Sequence, residues 1–191
     1  MDDILGLGDA AGACHILCLH KHQSSPAPED VAGVCSVFRR ELVRLCRHRS
    51  DQLRTPGWSN VVRTLGAQGI PVAIATHLDR GTALELVACC LPTLTVPVVS
   101  MSDAEDAQGV AGPVHAALRQ IGVTGSTANA VWVSDSPAVL SRYPEVRGWG
   151  LDSGWVPADA TERWGFTERV LEDLDELLDV LSLRARRVEM E

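Results

Sequence analysis

Three short polar clusters hold the residue types that could do chemistry in this chain: His20-Lys21-His22-Gln23-Ser24, Thr76-His77, and Ser134-Asp135-Ser136. An imidazole can serve as general base, nucleophile or metal ligand. Hydroxyls at the start of a helix, beside exposed backbone N–H groups, can hold an anion. A carboxylate suits a hard divalent cation. His20, His22 and Asp135 together would form a two-histidine, one-carboxylate set of the kind that takes Zn²⁺, Fe²⁺ or Mn²⁺, and His77 could join it. In extended chain, positions i and i+2 share a face. The chain turns beyond His20, so the spacing leaves open whether the two histidines converge.

Each cluster needs an element to position it, and each follows an apolar run. Residues 13–19 read as a strand buried on both faces, and further strands are expected at 70–75, 94–100, 130–133 and 148–151. Helices are expected at 29–49, 59–68, 80–90, 113–120, 137–141 and 161–183, with a Ser-, Asp- and Gly-rich loop over 101–112. The 29–49 helix has apolar positions Val31, Val34, Cys35, Phe38, Leu42, Leu45 and Cys46 at helical spacing. Its Arg39, Arg40, Arg44 and Arg47 read either as a solvated face or as a basic docking surface. Strand–helix alternation predicts an α/β fold, a Rossmann-like three-layer sandwich with a mostly parallel central sheet. In such sheets ligands bind at the carboxyl edge of the strands, where all three clusters fall.

Bulk properties narrow the classes. The chain has 191 residues and a formal net charge of −8, which argues against a nucleic-acid footprint. Lys21 is the sole lysine, so lysine-based catalysis has one candidate. None of the six cysteines forms C-x-x-C, and their apolar settings suggest buried thiols in a reducing compartment, hence a cytoplasmic protein. No apolar stretch is long enough to span a membrane, and the first twelve residues are too polar for a signal peptide. Residues 1–12 read as a flexible lead-in. Their Gly6-Leu7-Gly8-Asp9-Ala10-Ala11 fits a dinucleotide-binding pattern without the preceding strand that pattern needs. Residues 13–191 read as a single domain. His15 is expected in the core, and His48 and His115 on exposed helix faces. Trp149, Trp155 and Trp164 are expected to cover the core under the last helix.

The motif order resembles the haloacid dehalogenase-like (HAD) superfamily, a Rossmannoid group dominated by phosphatases. The resemblance runs from about Ala13 to Leu181. The segment PGWSNVVRTLGAQGIPVAIATHLDR is similar to that family's helix, strand and second motif, with Thr76 at the phosphate-binding position and Arg80 where family members often carry arginine. AGPVHAALRQIGV resembles the helix after the third motif, VWVSDS the fourth, and ERVLEDLDELLDVL the C-terminal helix. The resemblance implies that Asp135 is a metal-binding Asp, that Thr76, His77, Arg80, Ser134 and Ser136 line a phosphate or ligand site, and that residues about 26–55 form a minimal helical cap.

The departures fall on the chemistry. The family's first motif supplies an Asp nucleophile and an Asp general acid/base; the stretch expected to match it has His20 and His22 and no carboxylate. No basic residue stands at 108–113, where the third motif would carry one, and the second Asp of the fourth motif falls at Val139. Attack on phosphorus by a carboxylate, assisted by Mg²⁺, is therefore not expected. Two readings remain. One is a pseudoenzyme that binds a small phosphorylated or anionic ligand or a protein partner, a second copy of the chain included, with no cofactor. The other is a hydrolase or phosphatase with a rebuilt Mg, Zn or Mn site, with His20 and His22 in the catalytic positions and His20 and Asp135 on the metal. A histidine nucleophile at His20 would be a variant of the second. Neither reading involves nucleic acid or a membrane.

Overall fold

The computed structural model describes residues 13–14, 16–19, 25–53, 55–105, 112–124, 126–152 and 169–188. Residues 13–14 and 16–19 are helical, not extended, which corrects the expected first strand. The burial explains why. Ala13 and Leu17, four apart, are buried, while Ile16 is 37% and Leu19 57% exposed. That is one buried helical face, whereas a strand enclosed on both sides would hide every position. A short apolar run satisfies both readings until its neighbours decide.

The chain divides into two compact units, one formed by Met1–Leu53 with Ala73–Gln120, the other by Arg54–Val72 with Ile121–Glu191. In the first unit, helix α1 (Pro28–Leu53) opens with proline at its first position, where no N–H is needed, and with Glu29 and Asp30 in the first turn. Asp30 and Val31 donate their N–H groups to the Ala27 carbonyl at 3.0 and 3.2 Å. The helix kinks at Arg49 (φ −133°, ψ 27°). Its buried face carries Cys35 and Cys46, but Phe38 and Leu45 of the expected apolar stripe remain exposed.

Strand β1 (Ile74–Ala75) pairs in parallel with β2 (Val98–Val99), placing Ile74 opposite Val98 and Ala75 opposite Val99. Both strands are shorter than their apolar runs. Pro71 and Pro97 lack the N–H a ladder requires, although the Pro97 carbonyl accepts from Ile74 N–H at 2.9 Å. Helix α3 (Arg80–Cys90) lies between the strands in sequence and packs against α1. The loop expected after β2 contains a short helix, α4 (Met101–Glu105), and α5 (Pro113–Gln120) lays its buried Val114, Ala117 and Leu118 towards β1 and β2.

The second unit begins with α2 (Trp58–Ala67), which ends at Gly69 in the left-handed region (φ 72°). Its sheet has the order β3 (Val131–Ser134), β4 (Arg147–Leu151), β5 (Arg169–Leu171), all parallel, with the short α6 (Pro137–Leu140) between β3 and β4. Of the long C-terminal helix expected over 161–183, residues 161–168 lie outside the described residues, 169–171 form a strand, and α7 (Asp175–Val188) follows. Leu171 is fully enclosed (0% exposed) and pairs with Leu151. A tight bend follows, in which Glu176 N–H donates to Asp173 Oδ1 (2.9 Å) and the Glu176 carboxylate accepts from Glu172 N–H (2.9 Å). These bonds cap α7 in the manner of a capping box and set its start. Trp149 (1% exposed) and Leu171 form the core with Val61 and Leu65 of α2 and with Leu174, Leu177 and Val180. Trp149 thus sits under the last helix as expected. Trp155, Trp164, His15 and the Gly6–Ala11 pattern lie outside the described residues.

Candidate functional site

The parallel pairing of β1 and β2 brings both carboxyl ends to one edge, so the residues after Ala75 and after Val99 are neighbours. Thr76 continues the ladder, donating its N–H to the Val99 carbonyl at 2.9 Å. Its Oγ1 accepts from Leu78 N–H at 3.2 Å, closing the turn into α3. Asp79 is the N-cap of α3 and accepts from Thr82 N–H at 3.2 Å. Its other oxygen meets Arg39 Nε of α1 at 3.0 Å. Burial pushes the Asp79 carboxyl up, but the Thr82 hydrogen bonds and Arg39 outweigh it and hold the group below the usual carboxylate range. His77 is half-buried beside this turn.

Opposite, the buried Ser100 and the half-buried Asp103 form a reciprocal cap at the start of α4. Asp103 Oδ2 accepts from Ser100 N–H at 2.8 Å and from Ser100 Oγ at 2.7 Å, and Asp103 N–H points back at Ser100 Oγ. The remaining carboxylate oxygen, Oδ1, receives the Arg80 guanidinium in a charge-assisted hydrogen bond. The Ser100 hydroxyl, and with it the Ser100 N–H and Arg80, lowers the Asp103 carboxyl from its ordinary value against the opposing effect of burial. Met101 N–H donates to the Leu78 carbonyl, tying the two strand ends together at 3.2 Å. A backbone N–H, a hydroxyl and a guanidinium thus converge on one carboxylate. That is the donor set an external oxyanion would need, and the chain's own Asp103 fills it.

In the second unit β3 ends in Ser134-Asp135-Ser136. Ser134 Oγ accepts from Ser136 N–H at 3.1 Å, and Ser136 Oγ and its carbonyl accept from Val139 N–H at 3.4 and 3.1 Å. Ser136 is therefore a helix cap with Pro137 in the first position of α6. Asp135 is exposed at this strand end.

The expected site residues thus fall into groups. Thr76, His77 and Arg80 share the edge of the first unit's sheet. Ser134, Asp135 and Ser136 share the edge of the second unit's sheet. His20 and His22 lie outside the described residues, and the segment before them that is described is helical. Among the described residues no three His, Cys, Asp or Glu side chains come together so as to hold a metal. Asp135 does not by itself provide the oxygen-rich shell that Mg²⁺ requires, and no step is derived through a metal. Ser100, Asp103 and Asp79 belong to the edge of the first unit and were not among the expected site residues. The S-x-x-D spacing of Ser100 and Asp103 is the signal that could have found them. His48 lies exposed on α1, and His115 is half-buried on α5.

No protein-family model matches the chain, and no curated protein does. Solved structures do. A hydrolase from Pseudomonas syringae superposes with a TM-score of 0.72 at 23% identity, covering 95% of this chain and 80% of that one. CbbY from Rhodobacter sphaeroides, in complex with phosphate, superposes with a TM-score of 0.63 at 17% identity, covering 92% of this chain and 78% of that one. The chain shares the fold of these structures, a Rossmann-like α/β architecture with parallel sheets, which is the fold that the sequence resemblance implied.

Proposed function

We propose that this chain, built on the haloacid dehalogenase-like hydrolase fold, is a non-catalytic binding protein whose ligand is a small phosphorylated or other oxyanionic molecule. The observation that carries the reading is the Arg80–Asp103 pair. Arg80 occupies the position resembling the family's phosphate-side arginine, and Ser100 adds a hydroxyl and an N–H to the same spot. An oxyanion of the right shape can take over these donors once the Asp103 carboxylate gives way. The resident carboxylate keeps the affinity low and selects for a ligand that brings more charge than one carboxylate. Catalysis asks for more than binding. It needs a nucleophile and a charge-neutralising cation at the phosphorus; the positions resembling the second and fourth motifs supply hydroxyls, the His77 imidazole, Arg80, Asp135, and Asp79, whose carboxylate is already held by Thr82 and Arg39.

Titration calorimetry with inorganic phosphate tests this reading. Weak binding is expected for the native chain, with loss of binding in Arg80→Ala. Asp103→Asn keeps a cap acceptor for Ser100 but removes the competing charge, so it should tighten phosphate binding by about tenfold or more. Equal heats from the native chain and from both variants would overturn the assignment of this edge.

A further inference from the structure

Helix α1 packs against α3 and buries Cys35 and Cys46, but much of its surface is left over. Phe38 and Leu45, seven apart and so two turns along one stripe, are exposed beside the buried face, with Val37 next to them. Among the described residues no other helix leaves as many large apolar side chains open. On the far side of the stripe stand Arg40, Arg44 and Arg47, at i, i+4 and i+7, all exposed. Residues 39–49 hold five arginines and one carboxylate, Glu41. Arg40 (3.6 Å) and Arg44 (2.7 Å) share that carboxylate, and Arg47 meets Glu85 of α3 (3.1 Å). An apolar stripe with a basic rim fits a helix that has an apolar margin and an acidic rim.

The chain itself carries that counterpart. Residues 172–179 hold five acids and no basic side chain. Helix α7 turns Leu174, Leu177 and Val180 into the core. Asp175 and Asp179 are exposed and four apart, which is the spacing of Arg40 and Arg44, about 6 Å along either axis. Asp175 accepts from Asn60 at 3.0 Å, which fixes its carboxylate. Glu172 is exposed just ahead, and the half-buried Leu178 lies between the acidic row and the core. We propose that α1 of one copy docks on the acidic face of α7 of a second copy, with Arg40 and Arg44 meeting Asp175 and Asp179 while Phe38 and Leu45 cover Leu178. With a formal net charge of −8 for the whole chain, the basic face of one copy is drawn to the remainder of another. Exposed charges steer the encounter, and the covered apolar side chains hold it. One pair of helices buries less than a permanent dimer does, so the association is weak and reversible. The contact joins two different surfaces. Made twice across a dyad it gives a closed pair, and made once per copy it gives longer chains. This inference stands apart from the anion reading and survives its failure.

Sedimentation velocity of the full chain over roughly 1–300 µM, at low salt and again at about 0.5 M salt, tests the proposal. The native chain should grow from one copy towards two or more as concentration rises, and the added salt should weaken this by about tenfold or more. Phe38→Asp should weaken it similarly with Tm unchanged, since the side chain is exposed. Arg40→Glu with Arg44→Glu should leave single copies, and so should Glu172→Arg with Asp179→Arg. Mixed, these two variants should form a complex, because the native α1 of the second meets the native α7 of the first. A native chain that stays single at every concentration would overturn the proposal. So would association that salt leaves intact, association that both charge reversals leave intact, or a mixture of two folded variants that gives no complex. Binding to phosphatidylserine vesicles by a chain that does not self-associate would assign the face to a lipid surface and overturn the proposal likewise.

Discussion

Asp103 does two jobs at once. It caps α4 through Ser100, and it neutralises Arg80. Because its carboxyl is held below the ordinary range, its ionised form is favoured in the folded chain. A depressed carboxyl contributes stability that is present above the unfolded value of about 4 and is lost as pH falls through the lower folded value. The native chain should therefore be more stable than Asp103→Asn at neutral pH. The gap should close in acid, below about pH 4, as followed by chemical denaturation across pH. A gap of constant size would show that the charge is not the stabilising feature. Gly57 is a second position where one atom matters. It precedes α2 at φ 78°, and an added Cβ would stand 3.1 Å from the Asp175 carboxyl, which also accepts from Asn60 at 3.0 Å. Gly57→Ala should cost about 1–2 kcal/mol, read from a denaturant midpoint, because the left-handed backbone and the crowding both oppose the methyl. The strand-end placement of Thr76 and Asp135 was legible in the sequence because each sits at a junction where an apolar run breaks into a polar cluster before a helix. Asp103 was not, because its S-x-x-D cap lies in a stretch whose Ser, Asp and Gly content reads as loop.

At the scale of elements, β1 and β2 owe their shortness to Pro71 and Pro97 and are joined by the helical crossover through α3, and both features could be read from residues 70–100. The errors sit where an apolar run is short. Residues 13–19 satisfy strand and helix patterns alike, and only the burial of Ala13 and Leu17 against the exposure of Ile16 and Leu19 separates them. Residues 169–171 were absorbed into the periodicity of α7, although Val170 and Leu171 pair with Gly150 and Leu151 as an added parallel strand. That strand closes the core of the second unit. Leu171→Ala should destabilise the chain by about 2–5 kcal/mol, since a fully enclosed side chain leaves a cavity when removed. Val170→Ala, on a position that is 38% exposed, should cost much less. Comparable losses at both positions in urea unfolding would contradict the strand assignment.

At the scale of the molecule, the chain shares a Rossmann-like α/β fold with a hydrolase of known structure, and the proposed role of its strand ends is to bind a ligand without turning it over. Nothing in composition could separate these, because fold and site are specified by different residues: the first by apolar spacing over the whole chain, the second by a few polar side chains at strand ends. The central claim is therefore a claim about chemistry, and a rate measurement reaches it most directly. Hydrolysis of generic phosphate esters should be followed with Mg²⁺, Mn²⁺ or Zn²⁺ present, comparing the native chain with Asp135→Asn. The account predicts no turnover above background for either protein with any of these metals. Metal-stimulated hydrolysis by the native chain that disappears in Asp135→Asn would contradict it.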